Sequence, residues 1–493
     1  GAQRFTAGQH AMCAGGPGRA AAVWGPERRQ AMERAFTKSG NHRAALAFLG
    51  AAALFDRYVA GWTGMYRESC EATNVRGEQS ADVLDLRMSC LGERLSSLRA
   101  LGDVFISADN GVVDNAVSAA GALPALDRCA DVALLRAVIK PPDDPVVRAK
   151  VFSTREQVAK VNALGIAGQC DRAKTTGMTV LDAAKGIGYA PLAAEASYTL
   201  GRLVDNCMAP RQGIEYLEGA VVSAEASHDD EVVLGASVYL ANLYADRVLD
   251  VHLSQFWIRH AEAVLVRFPN HPVLEAWVSV ARSALFSAQG RDADALVEDK
   301  RALTLKEAAL GRSNADTAVS LMNVAARLHT LGRDAEAIPI GEQAIEVFTR
   351  LLGVDSTSVA QALVNQSECL TSVRRFDDAR AAIARALEIW RSNQASPFFM
   401  GYGLLDRGRL ELAEGHTKEA RSDLQQAITL MGDTDSGFAA EATFSLAQAL
   451  WFTPQERPRA LALARAARAT LGQGIVGRRG AEMDTWLRTH LAE

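Results

Sequence analysis

Aromatic residues are scarce in this sequence, at 6% of 493 residues. Strands rely on aromatic and β-branched side chains for packing across a sheet, so this scarcity disfavours a β-rich fold. Alanine is abundant instead, and it favours helices more than any other residue. Apolar residues at 48% and charged residues at 23% are ordinary for a folded chain. The composition predicts an all-α protein, and its length requires several domains or an elongated array.

Excess positive charge and long apolar runs are also missing. The 53 basic and 58 acidic residues give a formal charge of −5, so there is no basic stripe for nucleic acid. The longest apolar run, from Ala44 to Phe55, has about twelve residues, where a membrane helix needs roughly twenty. We expect no nucleic-acid partner and no membrane span in this chain. The N-terminus has no signal-peptide pattern. An opening Gly1 with no initiator Met suggests a processed fragment, and we expect any targeting information in what preceded it.

Motifs for catalysis and metal binding are absent from the sequence. It has no His-Glu-x-x-His pair, no Gly-x-Ser-x-Gly elbow, no phosphate-binding loop and no protein-kinase catalytic loop. No two of the seven cysteines lie two to four positions apart, which disfavours zinc. Residues 472–477 spell a dinucleotide-binding glycine pattern, but a helix precedes it, so we interpret it as a loop. We expect no catalytic residue, no cofactor and no metal.

A repeated pattern with a period of 40 to 42 residues runs through most of the chain. It is clearest from Thr317 to Trp390, where Asn365 follows Asn323 at the same phase. Small residues mark the pattern at Ala173, Gly213, Ser254, Ala295, Ala337, Ala379, Ala420 and Ala460. A fixed period of this size predicts stacked helical hairpins, with the small residues at the closest approach of two helices.

The repeat also predicts the domain organisation. Residues 1–145 lack the pattern, and the proline-rich run Lys140–Pro145 cannot be helical throughout. We predict a cysteine-bearing helical domain over residues 1–145, a solenoid of about eight helix pairs over 146–480, and a capping helix over 481–493. Four turns between paired helices are predicted to contain a left-handed glycine: Gly168, Gly290, Gly332 and Gly415.

Several small residues and one linker occupy fixed positions in the repeats: Ala325, Gly408, Ala337, Ala379, Ala420 and Leu352–Asp355. In these features the sequence resembles the tetratricopeptide repeat, and Thr317 to Trp390 resembles the longer form found in kinesin light chains. Gly341 departs from that family, which usually has an aromatic residue there. The resemblance covers roughly residues 150 to 480 and implies a right-handed α-solenoid.

A set of short motifs runs through the front portion: Met12–Gly15, Val23–Trp24, Arg28–Arg29, Tyr58–Trp62, Ser69–Thr73, Gly77–Ser80, Leu84–Leu91, and Leu123–Pro124 leading to Cys129. Together they resemble the segment that follows the membrane helix in myxobacterial receptor-type serine/threonine protein kinases. The resemblance implies a non-catalytic, extracytoplasmic region on the periplasmic face of the inner membrane. It also implies a kinase domain and one membrane helix upstream.

Four cysteines lie in this front portion: Cys13, Cys70, Cys90 and Cys129. Outside the cytoplasm, as the resemblance implies, they suit two disulfides with three possible connectivities. We expect Cys70 to pair with Cys90, because the two flank one loop, and Cys13 to pair with Cys129. The alternative is that all four are reduced thiols buried as small apolar residues. The cysteines of the repeats are interpreted as buried helix residues: Cys170, Cys207 and Cys369.

Polar residues on the first helices of the repeats are the candidates for binding a partner. In kinesin light chains and other peptide-binding tetratricopeptide proteins, an asparagine at the phase of Asn323 and Asn365 hydrogen-bonds an extended peptide in the concave groove. Asp406, Arg407 and Arg409 are further candidates for the same surface. The alternative is that these side chains satisfy their own helices or are simply solvated.

One leading hypothesis and two alternatives follow for the function. The first is a non-catalytic sensor or protein-interaction region of a transmembrane serine/threonine kinase, which binds a peptide, protein or small ligand in the groove. The second is an intracellular, cytoplasmic adaptor or scaffold that organises a protein complex. The third is a hydrolase or transferase hidden in the front domain.

Overall fold

The structure, a computed structural model, has 84% helix and no strand in the part of the chain that it describes. The described residues are 12–41, 43–137, 139–140, 142–205, 207–267, 269, 271–393, 395–432, 436–471 and 478–490. The all-α prediction is confirmed. The chain divides into two compact units, Gly1–Ala236 and Ser237–Glu493. The predicted domain boundary at residue 145 falls inside the first unit and stays a prediction.

The front of the first unit contains α1 (Gly16–Ala21), α2 (Pro26–Lys38), α3 (Ala44–Asn74), α4 (Ala81–Ile106), α5 (Asn110–Gly121) and α6 (Val132–Ala137). Its core forms where α2, α3 and α4 each contribute a buried phenylalanine. Phe105 lies with its ring centroid 5.7 Å from that of Phe36 and 5.5 Å from that of Phe55. The three helices therefore share one apolar centre, in which aromatic rings pack against one another.

The helix α3 bears on the expectation that the chain has no membrane span. It has 31 residues and a mean hydropathy of 1.3 over its most apolar window, so by length and composition it is able to cross a membrane. The core helix of a soluble protein passes the same test, and only 22% of that window is buried. Trp62 of α3 is buried, and its indole N–H donates to the carbonyl oxygen of Leu91 in α4 at 2.7 Å.

Three disulfides lie in the first unit: Cys13–Cys70, Cys90–Cys129 and Cys170–Cys207. The four front cysteines do form two disulfides, but the expected partners were wrong. Cys70 lies one turn from the end of α3, whereas Cys90 lies more than two turns into α4. Measured from the connecting loop, the two cysteines therefore differ in height along the hairpin by about 7 Å. The axes of packed helices are a further 8–10 Å or so apart. Disulfide partners have Cα atoms less than about 7 Å apart, so this pair is out of reach.

The third disulfide was not expected, because Cys170 and Cys207 were interpreted as buried helix residues. Cys170 is the first residue of α8 (Cys170–Ile187), and Cys207 lies shortly before α10 (Pro210–Glu225). Their separation of 37 residues is close to one repeat, so they occupy turns at the same level of successive hairpins. A cysteine pair one repeat apart and near turns was the signal available in the sequence.

The repeats follow as alternating first and second helices. The first unit has α7 (Pro145–Ile166) and α9 (Ala190–Gly201) as first helices, paired with α8 and α10. The helix α11 (Asp230–Leu243) contains the division between the units. The second unit continues with α12 (Val251–Leu265), α13 (Pro272–Ala288), α14 (Asp292–Leu310), α15 (Ala315–Thr330), α16 (Asp334–Leu352), α17 (Thr357–Ser372), α18 (Phe376–Ser392), α19 (Pro397–Glu414), α20 (Thr417–Met431), α21 (Ser436–Trp451), α22 (Arg457–Thr470) and α23 (Arg478–His490).

The small residues that mark the period are all buried near the starts of second helices. Gly213 is buried in α10, and the side chains of the other seven have 0% exposure. At the closest approach of two helices only a small side chain fits without moving the backbones apart. The pattern in the sequence therefore corresponds to hairpins running from α7 and α8 to α21 and α22. This confirms the prediction of about eight helix pairs.

The last helix, α23, covers the final hairpin as the fold prediction expected. Met483 is fully buried, and the Trp486 ring packs edge-on against Phe444 and Trp451 of α21, with centroids 5.8 and 5.4 Å apart. The helix begins at Arg478, three residues before its predicted start. The glycine pattern at residues 472–477 lies outside the described residues.

The departure at Gly341 has a local explanation. A Cβ atom at this position would lie 2.1 Å from Oε1 of Gln366, a residue of the next hairpin. The Gln366 side chain is buried there, and its Nε2 donates to the Ile338 carbonyl oxygen at 3.1 Å. The glutamine thus occupies the space that a side chain at position 341 would need.

Turns within the hairpins carry the predicted left-handed residue. The φ angles are +77° at Gly168, +73° at Gly290, +72° at Gly332 and +86° at Gly415. In the turn between α17 and α18 the same conformation is taken by Arg374, at +62°. A side chain is strained in this region because its Cβ approaches the following carbonyl oxygen.

Replacing Arg374 by glycine should therefore stabilise the protein. The left-handed conformation costs a non-glycine residue roughly 1–2 kcal/mol, so we expect Arg374→Gly to raise the free energy of unfolding by about 1 kcal/mol. Gly332→Arg should lower it by a similar amount. Arg374→Ala is the matched control, because it removes the guanidinium 5.2 Å from the Phe376 ring centroid and keeps the strain. Urea unfolding midpoints measure all three, and a loss of stability in Arg374→Gly would contradict the argument.

Candidate functional site

Four first helices of the second unit lie side by side and form one surface, which we call the first-helix face: α15, α17, α19 and α21. A cavity of about 250 Å³ opens on this face. It is lined mainly by polar side chains, among them His329, Glu368, Asp406, Arg409, Glu441 and Gln448, and Glu482 of α23 completes it. Each of the four first helices of this face contributes to the lining. We call this space the inner cavity.

Arg409 is the central charge of the inner cavity. Its guanidinium contacts Glu368 of α17 at 3.2 Å, Glu441 of α21 at 2.8 Å and Asp406 of its own helix at 3.4 Å. The three carboxylate side chains are only 2–14% exposed. Buried carboxylates need a cation close by, because a low-dielectric surrounding penalises the isolated charge. One arginine thus holds three consecutive first helices together.

His329 lies at the other end of the inner cavity. Its Nδ1 is 2.6 Å from a carboxylate oxygen of Asp334, and its Nε2 is 3.9 Å from a carboxylate oxygen of Glu368. The adjacent Cys369 is the one free cysteine of the described residues. Burial, with the carboxylates of Asp334 and Glu368, raises the pKa of its thiol to about 12. The thiol is therefore protonated, and is a weak nucleophile.

The net charge of the cavity lining is negative. Four carboxylates line it, those of Glu368, Asp406, Glu441 and Glu482, against the single guanidinium of Arg409. With His329 neutral, the lining carries a formal charge of −3. A surface of this sign attracts a cationic group and repels an anionic one.

The structure brings together only some of the predicted binding residues. Asp406 and Arg409 of α19 line the inner cavity. Asn323 of α15 and Asn365 of α17 are half-buried and lie outside its lining. The Tyr402 hydroxyl donates to Oδ1 of Asn365 at 3.1 Å. Arg407 makes a two-pronged ion pair with Asp423 of α20, with both nitrogen–oxygen distances at 2.6 Å. It therefore ties α19 to the second helix of its own hairpin.

An aromatic cluster lies beside Asn365 at the start of α19 and α21. The rings of Phe398, Tyr402 and Phe438 have centroids 5.1–6.4 Å apart. The guanidinium of Arg247 lies 5.3 Å from the Phe398 ring centroid, within reach of a cation–π interaction. The sequence analysis missed this cluster, although Phe398 and Tyr402 one helical turn apart were visible in a chain poor in aromatics.

A second cavity, of about 290 Å³, lies in the first unit. Asp103 of α4 lines it together with Glu156 and Lys160 of α7 and Arg172 of α8. A hydrolase or transferase in the front domain requires a pocket with converging titratable groups. The charged groups of this second cavity come from both sides of residue 145, so it does not belong to the predicted front domain alone.

Removing Arg409 should destabilise the second unit. We expect Arg409→Met to lower the free energy of unfolding by roughly 2–4 kcal/mol, because three buried carboxylates lose their cation. The value lies somewhat below that for a fully buried pair because Arg409 is 25% exposed. Arg333→Met is the matched control, since the exposed pair of Arg333 with Glu336 links residues three apart in one turn. An unchanged urea midpoint for Arg409→Met would contradict this account of the site.

Comparison with known proteins fits the fold described above. Residues 316–392 match the family model described as Tetratricopeptide repeat. No curated protein matches the chain. The residues that match are tetratricopeptide repeats, and such repeats are a scaffold for protein interaction.

One similar solved structure, from Podosopora anserina, is described as a kinesin light chain with nearly identical TPR-like repeats. It is 16% identical to this chain, and the match covers 41% of this chain and 96% of that one with a TM-score of 0.32. Aspartyl phosphate phosphatase F from Bacillus subtilis is 11% identical, with coverage of 80% and 94% and a TM-score of 0.45. Yeast Tom70 is 12% identical, with coverage of 92% and 96% and a TM-score of 0.39. Similarity at this level carries no information about what the chain binds.

Proposed function

We propose that this chain is the non-catalytic, extracytoplasmic interaction region of a receptor-type serine/threonine kinase. In this proposal the first-helix face binds a protein or an extended peptide, and the kinase domain lies upstream. The observation that carries the binding role is the inner cavity, to which four first helices contribute polar side chains. The resemblance of the front portion to receptor kinases and the disulfides of the first unit support the setting.

The chemistry of the first-helix face favours a partner segment with a basic side chain. The inner cavity is negative, and its carboxylates are held in place by Arg409. Beside it, the Phe398 ring is already in contact with a guanidinium, that of Arg247. A lysine or arginine of a partner therefore has both an acidic cavity and an aromatic surface within the same face. Asn323 and Asn365 remain candidates for contacting the backbone of the same segment.

The pairing of the cysteines supports the extracytoplasmic compartment in this proposal. Six of the seven cysteines pair in the structure, and disulfides persist outside the reducing cytoplasm. The alternative, a cytoplasmic adaptor, requires the same six residues to be thiols in the cell. The two proposals thus differ in one measurable property.

Thiol trapping distinguishes the two settings. The protein is recovered from its native host under acid quench, denatured and alkylated before and after reduction. We expect one alkylated cysteine, Cys369, before reduction and seven after it, because the other six are paired. Seven alkylated cysteines before reduction would overturn the extracytoplasmic setting and favour the adaptor. Peptide mapping of the unreduced protein checks the three pairs.

Binding in the inner cavity is testable with a positive charge placed in it. Peptides with one central arginine are selected from a random ten-residue library, and their Kd is measured by fluorescence anisotropy. We expect Gln448→Lys, in the cavity lining, to weaken binding about tenfold by like-charge repulsion. Gln425→Lys, on the exposed side of α20, is the matched control and should leave the Kd unchanged. Equal effects of the two substitutions would place the peptide elsewhere.

The two asparagines can be tested with the same peptides. The double variant Asn323→Ala and Asn365→Ala should weaken binding by about tenfold, because a lost hydrogen bond costs roughly 0.5–1.5 kcal/mol. Circular dichroism confirms that helicity is retained. An unchanged Kd would remove both residues from the site and leave the cavity as the binding surface.

A further inference from the structure

Three potential metal ligands meet next to the inner cavity. His329, Asp334 and Cys369 each offer one donor atom, and all three atoms lie within 4.8 Å of one another. The sequence analysis expected no metal, but it considered only closely spaced cysteines and the His-Glu-x-x-His pair. These residues lie 5 and 35 positions apart along the chain, so no spacing motif could have identified them.

The three residues come from three packed helices. His329 lies at the end of α15, Asp334 is the first residue of α16, and Cys369 lies in the last turn of α17. In a tetrahedral zinc site, with metal–ligand bonds of about 2.0–2.3 Å, donor atoms lie roughly 3.3–3.8 Å apart. Shifts of the donor atoms by about 1 Å therefore bring separations of up to 4.8 Å into this range.

The surroundings also suit a bound cation. Nε2 of His329, the ring nitrogen away from Asp334, lies 3.9 Å from the carboxylate of Glu368. Arg409 contacts the same carboxylate at 3.2 Å. A carboxylate facing the second ring nitrogen is the usual arrangement for a metal-binding histidine, because it fixes the ring and its tautomer. His329 and Glu368 also line the inner cavity, from which a water molecule can reach the fourth position.

We propose that His329, Asp334 and Cys369 bind one divalent transition-metal ion of the zinc class. Sulfur, imidazole nitrogen and carboxylate oxygen are the donors that zinc accepts in proteins. On binding, the thiol proton of Cys369 is released to solvent, while Asp334 binds as a carboxylate and His329 as neutral imidazole. The imidazole binds through Nδ1, and its proton resides on Nε2, facing Glu368. The ion then links two consecutive hairpins.

This inference does not depend on the proposed partner, because two of the three ligands, Asp334 and Cys369, do not line the inner cavity. A second group of donors provides an internal contrast: Glu411, Glu414 and His416. It lacks a thiol, and both of its carboxylates are engaged by Arg380. Only the first site therefore offers a sulfur ligand to the ion.

Cobalt binding tests the site directly. The untagged full chain, with its disulfides intact, is freed of metal with a chelator and titrated with Co²⁺. We expect one equivalent to bind with a thiolate-to-cobalt charge-transfer band in the near ultraviolet. Zn²⁺ in about a hundredfold excess over its Kd should raise the thermal midpoint by roughly 5–10 °C. It should also protect Cys369 from alkylation.

Variants of both sites decide the outcome. Cys369→Ser should abolish the charge-transfer band, and His329→Gln should weaken Co²⁺ binding at least tenfold. His416→Gln is the matched control and should change neither the charge-transfer band nor the affinity for Co²⁺. Cobalt bound without a charge-transfer band, or a band that persists in Cys369→Ser, would overturn the proposal. So would a thermal shift that is the same in Cys369→Ser as in the unmodified chain, because that shift would come from a site without the thiol.

Discussion

The close approach of the two helices in each hairpin is the constraint on which the array depends. A residue with little or no side chain lies at this contact in every hairpin, and all eight are buried. A larger side chain there would separate the helices and change the angle passed to the next hairpin. The first-helix face is free to carry polar and charged groups without disturbing the stack.

Periodicity made the hairpins predictable from sequence alone. Each hairpin is a local structure, so its helices, its small residue and its turn glycine all leave marks within about forty residues. The disulfides were less predictable because pairing depends on the height of each cysteine along its helix. Cys70 and Cys90 flank a loop in sequence, but α3 and α4 place them at different levels. A one-repeat separation would have identified Cys170 and Cys207 had the period been applied to cysteines as well as to small residues.

The candidate site was predictable only in part. Asp406 and Arg409 were selected because they lie on a first helix, and both line the inner cavity. What the sequence could not show is that Glu368 and Glu441, 41 and 32 residues away from Arg409, converge on its guanidinium. Arg407 failed to join them because adjacent positions on a helix point about 100° apart. Contacts between successive repeats depend on side-chain direction, which a period alone does not specify.

The link between Cys170 and Cys207 has a mechanical consequence. A stack of hairpins behaves as a spring, because it extends when neighbouring hairpins slide or tilt against each other. A covalent bond between turns of successive hairpins removes that freedom at one step of the spring. The second unit has no such bond in its described residues, and its hairpins are joined by packing and ion pairs such as those of Arg409. Under tension along the chain, this one step would therefore stay closed, whereas the steps of the second unit, where the first-helix face lies, are held by non-covalent contacts alone.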